Sequence, residues 1–299
     1  MTNADLGTLV ANATALSSEN LTKLIVKLTQ GILVMQQVIP VVESLDTFIW
    51  HVESDTTEYN LPAEIGEKAE AEDNAIEYTK MTGNVKDYRE KMEFSEKELR
   101  NGNIYNFIDP VSRAAVTIAQ RLALAVENDA VVELTNTTKY PTINTGNATT
   151  VWTTTASSVP INDIEELKYL IRADMQMDAD TIILGAEDYK NLLLSEQIRD
   201  ANQYTRDVVG DITIEKICGL RILKSDVVYN VAGTLTPILS GRAIVMVSNL
   251  PAQIRESVPI TAGRKWDEDL QTLRIYAKRS FKTILRVPKM IGILSNLKA

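Results

Sequence analysis

The chain has 299 residues, with 40 Asp+Glu against 31 Lys+Arg, a formal net charge of −9 and a sequence pI of about 4.9. Hydrophobic residues make up 44% of it, which excludes a disordered chain, and at roughly 100–200 residues per domain the length predicts two domains or one with large extensions. A single cysteine (Cys218) excludes a disulfide scaffold or cysteine-rich zinc site, a single histidine (His51) excludes any arrangement needing two, and the acidic total disfavours a broad basic face that reads DNA sequence.

Residues 1–16 carry no basic residue ahead of an apolar run, so no secretory signal is readable. The most apolar window, 24–42, is broken by Lys27, Gln30, Gln36, Gln37 and Pro40, short of a membrane span of ~18 residues. A soluble intracellular product is expected, and the N-x-[ST] triplets at Asn12, Asn20, Asn136 and Asn147 read as chance.

Leu21, Leu24, Ile25, Leu28, Ile32 and Met35 share one face of a 3.6-residue period, which predicts a helix started by Ser17 or Ser18 and bounded by Pro40. Its stripe needs burial, either in its own domain or in a sister subunit. Phe48, Trp50 and Val52 alternate around His51. A polar, Glu-rich tract follows, then a predicted strand through Ile76, Tyr78 and Met81, a turn at Thr82-Gly83-Asn84 and a returning strand over 85–94. So charged a hairpin lacks apolar surface for its own core and is expected to project.

Asp109-Pro110 reads as an N-cap and first helical residue, opening an alanine-rich helix to Leu134, a rod of roughly 35 Å. The Thr/Asn-rich stretch 136–158 reads as a loop or an irregular strand pair, and as a domain boundary. A helix capped by Asn162, a buried strand over 181–184 ending at Gly185, a short helix over 186–195 and strands over 219–223 and 243–247 predict a compact α/β unit. Leu273, Ile275 and Ala277 alternate with Arg274, Tyr276 and Lys278; the alternation shifts near Arg279-Ser280, predicting a bulge, and resumes at Phe281. Pro288 interrupts, and 290–294 reads as a last apolar strand. The parts before 135 and after 255 are expected to pack around the long helix, with the middle unit inserted between them.

Charge is uneven. Residues 53–99 hold 14 acidic and 6 basic residues, a balance of −8, whereas 255–299 hold 10 basic and 4 acidic, a balance of +6. These are either solvated faces or segments that meet, within a subunit or between copies.

No G-x-S-x-G elbow, phosphate loop or G-x-G-x-x-G turn is present, and neither a cofactor nor a metal site is expected. His51 and Cys218 read as structural residues. Pairs such as Glu165-Glu166 read as surface, although carboxylate chemistry leaves no short signature.

The order of elements resembles the HK97-fold major capsid proteins of tailed double-stranded DNA viruses, a family that includes the encapsulin shells. The likeness lies in Leu273-Arg274-Ile275-Tyr276-Ala277-Lys278-Arg279, in Arg286-Val287-Pro288-Lys289-Met290-Ile291-Gly292-Ile293, and in the helix–strand–helix order of 159–189. The resemblance implies an α+β fold: an N-terminal arm (1–47), an extended loop (48–99), a peripheral domain (100–158, with its spine helix at 109–134), an inserted axial domain (159–254) and closing strands (255–299). It implies a non-enzymatic shell subunit that forms pentamers and hexamers of an icosahedral virion capsid around double-stranded DNA, assembled in the host cytoplasm.

The implied partners are other copies of itself, a portal, scaffolding or decoration proteins, and non-specific contact with the packaged DNA, with no membrane. The short N-terminal region argues for a separate scaffold or none, without N-terminal cleavage. Lys80 and Lys86 are expected near the loop tip, but no Asn partner for a cross-link can be matched. Candidate subunit-interface residues are Leu24, Leu28, Ile32, Trp50, Tyr78, Lys80, Lys86, Arg89, Arg274 and Lys278. The alternatives are an encapsulin-like shell around protein cargo and a cytoplasmic carboxylate-based enzyme or binding protein. Deleting residues 1–40 is expected to leave a folded subunit that assembles poorly.

Overall fold

The computed structural model describes residues 18–30, 33–53, 78–99, 110–203, 215–225, 227–231 and 234–298. Two sheets and a long helix organise it. A four-stranded sheet has the order β1 (Val41–Glu43), β12 (Ala252–Asp267), β13 (Thr272–Leu285), β4 (Lys86–Ser95). A six-stranded sheet has the order β5 (Asn144–Asn147), β14 (Ile291–Ser295), β11 (Ala243–Met246), β6 (Thr181–Gly185), β8 (Leu220–Ser225), β7 (Lys216–Ile217). Two-stranded ribbons are formed by β2 (Thr47–Glu53) with β3 (Tyr78–Asn84) and by β9 (Val228–Val231) with β10 (Thr234–Pro237).

The long helix, α2, spans Pro110–Leu134. Its first half buries Ala114, Ala115, Ile118, Ala119 and Leu122 against Ile275 and Ala277 of β13 and against Leu21, Leu24 and Ile25 of the first helix, α1 (Ser18–Gln30). Alanines at the contact let both elements approach closely. The second half (Ala123, Val126, Ala130, Val131, Leu134) enters a core shared by both sheets, with Ile183, Ile244, Ile254, Phe281 and Ile293. A further core lies under α3 (Pro160–Met175), α4 (Ala186–Leu194) and α5 (Glu196–Gln203).

Several expectations are corrected. Of the two coverings open to the α1 stripe, its own chain supplies it: Leu24 is 3% exposed and Leu28 packs against the same cluster, so neither is free to serve a subunit interface. Thr22 of α1 also completes an open edge of the four-stranded sheet. Strand β1 pairs only with Ile254–Glu256, and further along β12 the Thr22 hydroxyl accepts the Ala262 N–H (3.0 Å), its own proton shared between the Ser18 (2.9 Å) and Ala262 (3.2 Å) carbonyls.

The predicted hairpin of 78–94 does not form. β3 pairs with β2, from Thr47↔Asn84 to Glu53↔Tyr78, while β4 pairs with β13, and Val85 alone separates the two sheets. Thr82-Gly83-Asn84 lies in β3, where Gly83 makes room for Trp50: a Cβ there would sit 2.9 Å from the indole. Lys80 and Lys86 therefore stand on paired strands opposite His51 and Phe281, not at a tip.

The bulges lie in β12. β13 runs continuously against β4, and the register slips between Glu256, Val258 and Thr261 on the opposite strand, where Pro259 cannot donate to a ladder. The final strand β14 does not stay with the other closing strands; it sits between β5 and β11 at the centre of the six-stranded sheet. α3 begins at Pro160 after Val159, with no side-chain cap from Asn162. The expected cap of α2, Asp109, lies outside the described residues, but the end of α2 at Leu134 and the strand 181–185 match expectation.

Candidate assembly surfaces

One surface is the outward face of β4 and β13. The register sets Asp87, Arg89, Lys91 and Glu93 opposite Ser280, Lys278, Tyr276 and Arg274. Most of this charge is matched within the sheet. Arg274 bridges Glu93 (2.9 Å) and Asp267 (3.2 Å), Arg89 pairs with Asp87 (3.0 Å) and Lys91 with Glu93 (3.2 Å). The Ser280 hydroxyl donates to Asp87 at 2.6 Å and, with Arg89, holds that carboxyl below its ordinary range. Tyr276 lies across Gly263, where any Cβ would collide with its ring. The result is a flat, polar face with both signs interspersed.

A second surface is the β2–β3 ribbon. Its inner side carries Phe48, Trp50, Val52 and Met81, packed into the main core, with the Lys139 ammonium 5.2 Å from the Trp50 ring. Its outer side presents Ile49, His51, Tyr78 and Lys80, with His51 edge-on to Tyr78 at 6.4 Å. The third is the β12–β13 hairpin end. Trp266 and Leu270 stand exposed there, and an open groove of about 250 Å³ is lined by Ser95, Glu96, Lys97, Leu270 and Gln271. Large apolar groups left in solvent make this hairpin end a candidate contact surface. A fourth candidate is the isolated aromatic Tyr169 of α3, 70% exposed.

Among the described residues there is no group of three or more His, Cys, Asp or Glu that could hold a metal ion, and no helix long and apolar enough to cross a membrane. Cys218 occupies the two-residue turn between β7 and β8 with φ +51°, and burial pushes its thiol up to about 11, so it is a poor nucleophile at neutral pH.

No protein-family model and no curated protein matches the sequence. Solved structures do. A phage-related protein from Bordetella bronchiseptica RB50 aligns with a TM-score of 0.69 at 12% identity, covering 93% of this chain and 96% of that one. A virus-like particle from Pyrococcus furiosus aligns at 0.62 and 12% identity (93% and 98% covered), and the capsid of an empty GTA particle at 0.61 and 14% identity (88% and 90% covered). The chain has the HK97-like major capsid fold.

Within the HK97-like fold, the residues expected at subunit interfaces divide. Leu24, Leu28 and Trp50 are packed inside their own chain, and Ile32 lies outside the described residues. Arg274 is half-buried in its ion pairs. Tyr78, Lys80, Arg89 and Lys278 are exposed on the first two surfaces, and Lys86 is exposed at the start of β4 on the opposite face, paired with Phe281. Trp266, Leu270, Ile49 and Tyr169 were not anticipated. A readable signal existed for the first two, since they bracket the acidic turn Asp267-Glu268-Asp269, where apolar side chains have no core to serve.

Proposed function

We propose that this chain is the major capsid protein of a tailed virus, whose copies form pentamers and hexamers and close into an icosahedral shell around double-stranded DNA. The observation that carries this reading is the likeness to the GTA capsid and the Pyrococcus furiosus virus-like particle over about nine-tenths of the chain. The surfaces support it. A shell subunit needs several separate contact faces and no deep cleft. Here large apolar side chains stand at a hairpin end and along a ribbon, and the sheet face between them has interspersed charges that can set register between copies.

On this reading the 48–99 excursion is the extended loop, its strand β4 docked on the four-stranded sheet; α2 with β1, β12 and β13 forms the peripheral part, and the six-stranded sheet forms the axial part. The exposed Tyr78, Lys80, Lys86, Arg89 and Lys278 then lie where copies meet. The net charge of −9 limits adhesion to packaged nucleic acid, leaving any DNA contact local and non-specific. Portal, scaffolding and decoration proteins are the further partners, in a virion assembled in the host cytoplasm.

Sedimentation velocity of the purified chain at rising concentration tests self-association. The reading predicts a uniform, fast-sedimenting species of many copies; a persistent 33.2 kDa monomer at high concentration contradicts it. An encapsulin-like shell draws on the same fold. Protected nucleic acid inside the particles identifies the capsid, and enclosed protein cargo the alternative.

A further inference from the structure

Glu127 of α2 is fully buried, yet no described Lys or Arg pairs with it. Its Oε1 accepts the backbone N–H of Met35 at 2.8 Å, and the Val34 N–H also points to the carboxylate, while Oε2 is buried without a partner. The residues it holds, 33–40, join α1 to β1. They include Met35, Val38 and Ile39, all at most 1% exposed, around the 3-10 turn Met35–Gln37. The segment is also fastened by the Asn249 N–H to the Val38 carbonyl (2.8 Å), the Ile254 N–H to the Pro40 carbonyl (2.9 Å), and Arg221 to the Gln37 side chain (3.0 Å).

The charged groups nearby are engaged elsewhere. Asp129 and Glu133, further along α2, grip Lys282 and Lys139, and Arg121 grips Glu90. None of them contributes appreciably to the electrostatics at Glu127, where burial dominates and the two N–H groups oppose it.

We propose that Glu127 is a proton-operated clasp on residues 33–40: the neutral carboxyl sits quietly in the core and holds the segment down, and ionisation loosens it. An anion in this apolar site lacks both water and a counter-charge, and opening the segment restores water. Burial raises the carboxyl from 4.5 to about 7 when the segment is closed. A raised carboxyl binds its proton more tightly in the closed state, so closure is strongest below pH 4.5, weakens as pH rises toward 7 and levels off above it. The clasp needs no partner and holds for the isolated subunit, so it does not depend on the capsid reading.

Amide hydrogen exchange followed by mass spectrometry tests it, following a peptide covering 33–39 in wild type and in E127Q from pH 5 to 8.5, corrected for intrinsic rates. The expected result is wild-type protection of 33–39 that falls by up to about tenfold per pH unit between 5 and 7 and flattens above. In E127Q, which keeps a neutral acceptor, this fall should be absent. Wild-type protection constant across the range, or the same dependence in E127Q, overturns the proposal. The wild-type series decides even if E127Q folds poorly.

Discussion

Asp129 accepts the backbone N–H of Thr283 through Oδ2 at 2.8 Å, taking up the edge of β13 where β4 has ended. The last β4 pair is Lys86↔Phe281, so the next outward donor of β13 meets a helix side chain instead of a strand. The other oxygen, Oδ1, accepts from Lys282 Nζ at 2.9 Å. Lys282 also donates to Glu133 (3.3 Å), which accepts from the Tyr140 hydroxyl (2.8 Å) and pairs with Lys139. Burial pulls Lys282 down, but the two carboxylates outweigh it and hold the ammonium above its ordinary value.

Asp129→Ala leaves that ammonium half-paired and the Thr283 N–H without an acceptor. Breaking a buried pair from one side costs about 3–5 kcal/mol. Asp129→Asn, which keeps an acceptor, should cost less. Urea unfolding monitored by circular dichroism measures both, and equal stability of wild type and Asp129→Ala contradicts the ladder-closing role.

The same network sets an acid limit. Burial pushes Glu133 up, but Lys139, Lys282 and Tyr140 together hold it below 4.5. A depressed carboxyl contributes stability that is present above its unfolded value and is lost as pH falls through the folded one. Urea midpoints for wild type and Glu133→Gln should therefore converge as the pH is lowered below about 4.5, and a gap that stays constant counts against this.

Removing α1 should destabilise the subunit itself, contrary to the expectation that a chain without residues 1–40 stays folded. Leu21, Leu24 and Ile25 are 0–3% exposed, and each buried side chain of this size is worth roughly 1.5–3 kcal/mol. Their sum approaches the whole stability of many domains, about 5–15 kcal/mol. A chain lacking residues 18–30 should lose its cooperative thermal transition. An unchanged melting temperature would show that the stripe is covered by something other than its own chain.

Gly292→Ala tests the placement of the last strand. A Cβ at 292 would lie 2.6 Å from Leu167 Cγ, so β14 rests directly on α3. Overpacking of this kind costs about 1–3 kcal/mol, measurable as a lowered urea midpoint. No change would mean that β14 and α3 are not in contact.

Trp266→Ser with Leu270→Ser separates assembly from folding. Both side chains are exposed, so stability should move by no more than about 0.5 kcal/mol, while the fast-sedimenting fraction falls. Unaltered self-association would remove the β12–β13 hairpin end from the contact surfaces.

Elements with a local period were legible. The alanine-rich face of α2 and the apolar run Thr181-Ile182-Ile183-Leu184 each announce their own burial. What failed was pairing between distant segments. Glycine usually marks a turn, but Gly83 answers to the Trp50 ring on the neighbouring strand. The alternation slips on β13, yet the bulges lie on β12, where Pro259 is the stronger signal.

Asp163 shows the same limit. Its buried carboxylate accepts from the Thr149 N–H and hydroxyl and from Trp152 Nε1, so the polar stretch before α3 is fastened, not loose. Composition reads polarity but not the partner that satisfies it. The exposure of charges such as Arg89 and Lys278 is legible in the sequence, while nothing local reveals which apolar face covers Leu24.

Electron microscopy of the purified protein tests the central claim most directly. The account predicts closed, uniform shells tens of nanometres across, built from five- and six-fold clusters of this chain. A field of small separate particles at every concentration, with no ring or shell among them, would contradict it.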